Sequence, residues 1–73
     1  MSLDDAKARL DHASELLALH WHDARSEWDD QKYRELDEEF LQPLFHHAAA
    51  AMSAMDRLRD VLARAARDSR PDA

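Results

Sequence analysis

The chain of 73 residues contains no cysteine and no glycine, and it has only two prolines. Without cysteine it can form no disulfide, no thiolate metal site and no cysteine nucleophile. Isoleucine is absent, Val61 is the only valine, and no stretch alternates apolar with polar residues, as a half-buried strand would. No apolar run is long enough to span a membrane. The residues from Met1 to Asp5 do not resemble a cleaved signal peptide, so we expect a protein that is cytoplasmic or exported without one.

What remains is a helical composition. Hydrophobic residues make up 45% of the chain and charged residues 36%, and alanine, leucine, arginine and the acids favour helices. The length allows one domain, residues 1–73. The fold class predicted is therefore all-α. The formal net charge of −6 opposes binding to nucleic acid or to an anionic membrane surface, and no membrane insertion is expected.

The apolar residues predict two helices whose apolar stripes do not form one continuous stripe. In helix one, about 3–28, Ser2 and Asp5 fit a capping box. Its apolar stripe comprises Leu3, Ala6, Leu10, Ala13, Leu17, Trp21, Ala24 and Trp28. A second stripe follows in helix two, about 30–68, and comprises Tyr33, Leu36, Phe40, Leu44, Ala48, Met52, Met55, Leu58, Leu62 and Ala65.

The two stripes are out of phase by about 130° at 100° per residue. A bend at Trp28-Asp29-Asp30 removes this conflict and predicts an antiparallel two-helix hairpin, with residues 69–73 as a short tail. Trp28, Asp29, Asp30 and Tyr33 form the predicted structural hinge, in which Asp29 or Asp30 caps helix two. Trp28 is predicted to end helix one as a buried apolar plug, so Trp28→Ala should lower the stability by about 3 kcal/mol or more.

Pro43 allows a second position for the bend. A proline inside a helix removes one backbone hydrogen bond and kinks or ends the helix. The bend could therefore lie at Gln42-Pro43. The first position is preferred, because the spacing of Phe40, Leu44 and Ala48 keeps its phase across the proline, which would then only kink helix two.

The sequence offers no catalytic, cofactor-binding or metal site. The histidines at 20 and 22 are two apart and those at 46 and 47 are adjacent, so neither pair converges on one helical face as metal ligands three or four residues apart do. Glycine is absent, so no serine lies in a Gly-flanked nucleophile elbow. No enzymatic activity, cofactor or small-molecule substrate is expected.

A single hairpin has one apolar seam and buries little apolar surface. We therefore expect partner helices to cover the rest. Aromatic and methionine side chains are frequent anchors at such surfaces. Leu41 and Phe45 form a second apolar ridge beside the main stripe of helix two, as in a helix covered on two sides. The candidate partner interface comprises Trp21, Phe40, Leu41, Leu44, Phe45, Met52, Met55, Leu58 and Leu62.

Two helices joined at a Trp-x-Asp bend, followed by Tyr33, Leu36 and Phe40, resemble the WXG100 (ESAT-6-like) superfamily. Asp30 stands where that family has glycine, and the tail lacks the family's Tyr-x-x-x-acid export signal. The resemblance implies a four-helix bundle formed by a homodimer or a heterodimer, and a possible link to type VII-like secretion.

Three hypotheses follow for the function. The first is a non-catalytic helical interaction module of WXG100-like form, which binds itself or another helical protein. The second is a helical adaptor, chaperone or antitoxin-like subunit unrelated to secretion. The third, an enzyme or metal-storage bundle, would need ligands shared across a dimer.

Overall fold

The first helix begins where the sequence predicts. The computed structural model describes residues 2–69, and α1 spans Leu3–Ala24. The Ser2 hydroxyl accepts a hydrogen bond from the Asp5 backbone N–H, and the Asp5 carboxylate accepts one from the Ser2 N–H. This reciprocal pair satisfies two amides that the first helical turn leaves without partners, so the predicted capping box is confirmed.

The chain reverses direction at Trp28 and Asp29. A short 3-10 turn, Arg25–Glu27, continues α1, and Trp28 and Asp29 then adopt extended ψ angles of 149° and 136°. The α2 helix begins at Asp30 and ends at Leu36, and the Asp29 side chain accepts the Gln31 N–H at 2.8 Å. The predicted bend near Trp28–Asp30 is confirmed, with Asp29 as the capping residue, and helix one ends four residues before its predicted limit.

Helix two continues across Pro43 but changes its winding there. The π-helical turn Asp37–Leu41 follows α2, and α3 spans Gln42–Asp68. Gln42 donates its backbone N–H to the Asp37 carbonyl, five residues earlier. Such a turn accommodates one extra residue, and it lies where Pro43 cannot donate a hydrogen bond. The alternative bend at Gln42-Pro43 is therefore wrong.

The two arms of the hairpin pack antiparallel. Lys7 donates two hydrogen bonds to the Asp56 carboxylate, at 2.8 and 2.9 Å, and Arg59 donates one to Asp4 at 3.1 Å. Because Asp4 lies opposite Arg59, the end of α3 projects past the start of α1 by roughly 12 Å at 1.5 Å per residue. Most of the predicted tail, including Pro71, lies outside the described residues.

The π-helical turn decides which residues of helix two face α1. Leu41, Phe45, Ala48, Met52 and Met55 are half-buried, whereas Phe40 and Leu44 are exposed. Near Pro43 the second ridge, Leu41 and Phe45, therefore faces α1, whereas Phe40 and Leu44 of the main stripe face outward; farther along, Ala48, Met52 and Met55 of the main stripe face α1. A uniform 100° per residue misses this change, because the extra residue of the π-helical turn rotates the apolar pattern.

The hairpin is one layer of helices with no enclosed core. No side chain among residues 2–69 is fully buried and no strand occurs there. The Cα atoms extend over 67 × 19 × 10 Å. A single layer leaves both broad faces of the helix pair open, and these faces differ in chemistry.

Candidate partner-binding surface

The hinge is held by side chains on both arms. The Trp21 and Tyr33 rings stack with their centroids 4.3 Å apart and their planes 7° from parallel. The Tyr33 hydroxyl donates to the Trp21 carbonyl, and Trp21 Nε1–H donates to Asp37 Oδ1, both at 2.9 Å. Gln42 Nε2 also donates to the Asp37 carboxylate. These contacts fix the angle between α1 and α2.

Trp28 contributes less to the hinge than the sequence suggests. Its side chain is 46% exposed, and its ring lies 6.4 Å from Trp21 at a tilted angle. The prediction that Trp28 is a buried plug is wrong. The half-buried aromatics at the hinge are Tyr33, which the sequence pattern placed there, and Trp21, which it placed among the partner contacts. No spacing rule pairs residue 21 with residue 33, because the geometry of the bend brings them together.

One broad face of the hairpin is polar. Lys7 of α1 and Asp56 of α3 lie on the same side of the seam, where they form their ion pair. The hydrogen bond from Lys7 lowers the pKa of Asp56, and the hydrogen bond to Asp4 raises the pKa of Arg59. These ion pairs are partly exposed and screened by water, so they contribute little to the stability of the fold. Their main effect is to fix the register of the two helices.

The opposite face is apolar. At about 100° per residue, Ala13 and Leu17 of α1 lie on the other side of the seam from Lys7. The same rotation places a row of helix-two side chains on the other side from Asp56. We call this surface the apolar face, and it comprises Ala13, Leu17, Phe40, Leu44, Ala51, Leu58 and Leu62.

The large side chains of the apolar face are accessible. Phe40, Leu44, Leu58 and Leu62 are between 47% and 60% exposed. Near the middle of the face a groove of about 160 Å³ opens between the helices, lined by Leu10, Ala13, Ser14, Leu17, Leu44, Phe45 and Ala48. This volume is below the roughly 300 Å³ of small-molecule pockets. The groove is therefore suited to a side chain from another helix.

The nine candidate interface residues fall into two groups. Trp21, Leu41, Phe45, Met52 and Met55 are half-buried between the arms of the hairpin. Phe40, Leu44, Leu58 and Leu62 belong to the apolar face. The sequence pattern did not single out Leu17 as a partner contact, although it lines the groove and remains exposed.

The total exposed area also marks an uncovered surface. The chain exposes 6072 Å², whereas a compact monomer of 8.5 kDa exposes about 4,700 Å². The excess is about 1,400 Å². A stable protein interface covers about 800 Å² on each partner, so the excess is large enough to contain one such interface.

Within residues 2–69, no three His, Asp or Glu side chains are placed to hold a metal ion together. The rings of His46 and His47 lie 6.0 Å apart, edge to face. No helix in this part of the chain combines the length and the apolar character needed to cross a membrane.

Comparison with known proteins returns no relative: no family model matches the chain, and neither does any curated protein or solved structure.

Proposed function

We propose that this chain is a non-catalytic helical interaction module whose apolar face binds a second pair of helices, completing a four-helix bundle. The observation that carries the proposal is the contrast between the two faces: ion pairs on one, and exposed Phe40, Leu44, Leu58 and Leu62 on the other. Side chains of this kind, contiguous on a small protein, are typical of a surface that binds another protein. The partner is a second copy of the chain or another helical protein.

The proposal is tested by the association of the purified chain. Leu44→Glu places a charge in the middle of the apolar face. Because a dimer contains the substitution twice, and burying one leucine contributes about 1.5 kcal/mol or more, we expect the dissociation constant to rise more than about a hundredfold. Sedimentation equilibrium over a range of concentrations measures it.

Leu19→Glu is the matched control. Leu19 is an equally exposed leucine, but it lies on the outer edge of α1, away from both the seam and the apolar face. This variant should associate as the unmodified chain does. A fully folded monomer whose unfolding midpoint does not depend on concentration would contradict self-association and leave another helical protein as the partner. Equal effects of the two substitutions would contradict the proposal.

A WXG100-like role in type VII-like secretion is the more specific form of this proposal. It is supported by the Trp28-x-Asp30 pattern, which lies at the bend of the hairpin. Export of the tagged chain from its source cells, lost on deletion of a secretion ATPase, would support it. Retention inside cells that export other substrates of that ATPase would favour an adaptor or chaperone role instead.

A further inference from the structure

The end of helix two has no covering within the hairpin. We call residues 57–67 the C-terminal arm. All of its side chains are exposed, including the apolar Leu58, Val61 and Leu62. From about residue 61 the arm has passed the beginning of α1, which lies opposite Arg59. The first helix of the same chain therefore cannot cover its far half.

The C-terminal arm and the hinge end carry opposite charge. The arm has four arginines against one aspartate, whereas residues 29–39, which we call the acidic segment, have six carboxylates against two basic side chains. Arg59 is paired with Asp4. Among the described residues, Arg57, Arg64 and Arg67 have no ion-pair partner, and neither do Glu38 and Glu39. The complement of each segment is thus present in the chain but at the other end of the hairpin.

Two hairpins that stack on their apolar faces by two-fold symmetry can do so in two ways. With the axis along the helices, the hinges lie at the same end and each α3 covers the partner's α1. The far halves of the arms then stay uncovered, because α1 begins opposite Arg59. With the axis across the helices, helix two of each copy lies over helix two of the other, and the hinges lie at opposite ends. Only this second arrangement covers the arms.

The antiparallel arrangement also places apolar side chains beside apolar ones and basic side chains beside acidic ones. If the axis crosses near Ala48, the midpoint of residues 28–69, residues 57–67 of one copy lie beside residues 30–40 of the other. Leu58 and Leu62 then approach the exposed Phe40 of the second copy. At about 100° per residue, Arg57 and Arg64 share the outer edge with Glu35 and Glu39 of the second copy.

Resting on the proposed function, we propose that the partner is a second copy of this chain, and that the basic C-terminal arm of each copy docks on the acidic segment of the other. The two hairpins are then antiparallel, with their hinges at opposite ends of the four-helix bundle. The apolar face supplies most of the buried area. The charges select the orientation, because the parallel arrangement places the acidic segments together and the arms together.

A charge exchange tests this docking. One variant carries Arg57→Glu and Arg64→Glu, and the other carries Glu35→Arg and Glu39→Arg. Each variant alone opposes like charges at both contacts, so its dissociation constant should rise at least about tenfold over that of the unmodified chain. An equimolar mixture should recover the original affinity, since both contacts between unlike variants are again complementary. Helix content from circular dichroism checks that each variant folds.

The outcomes separate this proposal from the general one. If the unmodified chain dimerises but the mixture stays as weak as the separate variants, the arm does not dock on the acidic segment, and association through the apolar face stands. If the charge variants associate as tightly as the unmodified chain, the docking is likewise overturned. If the unmodified chain is a folded monomer at every concentration, this docking and self-association both fail, and the proposed function retains only another helical protein as the partner.

A distance measurement checks the orientation without altering charge. The chain has no native cysteine, so Gln31→Cys carries a single spin label at the hinge. The antiparallel dimer predicts a distance between labels of about 50 Å, from the axial rise per residue, and the parallel one predicts less than about 25 Å. Ala49→Cys, near the proposed axis, is the control, since its labels lie at nearly the same height along the bundle in either arrangement. A short distance at residue 31 would overturn the proposal.

Discussion

The two ends of the hairpin differ in how far their apolar and aromatic side chains contact other parts of the same chain. At the hinge, Trp21, Tyr33 and Asp37 contact one another across sequence separations of 12 and 16 residues, so the chain supplies its own partners. At the far end the C-terminal arm carries the apolar Leu58, Val61 and Leu62, each about half exposed within residues 2–69. This difference shows that the hairpin completes its own hinge, and under the proposed function a second molecule covers the apolar surface that remains.

Within the hinge, the largest loss of stability is expected from Trp21→Ala. This substitution removes the stacked ring, the hydrogen bond to Asp37 and much of the contact between α1 and α2. Truncation of a well-packed tryptophan costs 3–5 kcal/mol, and we expect about 3 kcal/mol here because Trp21 is only half-buried. Urea unfolding at one fixed protein concentration measures the loss, since the stability of a self-associating protein depends on concentration.

Trp28→Ala is the matched variant, because it removes the same side chain seven residues away. Trp28 is 46% exposed, so a loss of about 1 kcal/mol is expected in place of the 3 kcal/mol that the sequence pattern predicts. A larger loss at Trp28 than at Trp21 would mean that the partner covers Trp28, and the distinction between a self-contained hinge and an unpartnered far end would then fail.

The comparison between the two ends also shows how far the sequence alone could predict the structure. The phase break at Trp28 and the capping patterns at Ser2 and Asp29 are local signals, and the structure confirms all three. The π-helical turn is different, because it depends both on the backbone hydrogen bond that Pro43 cannot donate and on how helix two packs against α1. A fixed helical period therefore assigns Phe40 and Leu44 to the seam, although they are exposed.

The sequence could predict which residues belong to the candidate surface, but not which of them lie together on one face of the hairpin. The apolar pattern identifies Phe40, Leu44, Leu58 and Leu62, yet it cannot separate them from Phe45 and Met52, which pack between the arms. That separation requires the side of the seam on which each residue lies. The Lys7–Asp56 ion pair supplies this information, since it shows which of the two broad faces is polar.

A smaller effect is expected from Tyr33→Phe, which keeps the stacked ring and removes only the hydroxyl that donates to the Trp21 carbonyl. Loss of one such hydrogen bond costs about 1 kcal/mol. Thermal unfolding at matched concentration should show the decrease without any change in the dissociation constant of the dimer. A change in association instead would mean that the hinge and the apolar face are coupled.

The smallest effect concerns the ion pair on the polar face. The hydrogen bond from Lys7 lowers the pKa of Asp56 from its ordinary value of 3.8, so the folded state favours the charged carboxylate. The stabilisation from this pair is therefore present above about pH 4 and is lost as the pH falls through the lowered pKa. We expect Asp56→Asn to be less stable than the unmodified chain near neutral pH and to converge with it in acid.

Asp11→Asn serves as the control for that pH series, because Asp11 is exposed and has no ion pair within residues 2–69. Urea unfolding of the three proteins from about pH 7 to about pH 3 gives the comparison. A difference between Asp56→Asn and the unmodified chain that persists unchanged into acid would contradict the ion-pair origin. The substitution would then act through the packing of the seam, and Lys7 would no longer identify the polar face by its charge.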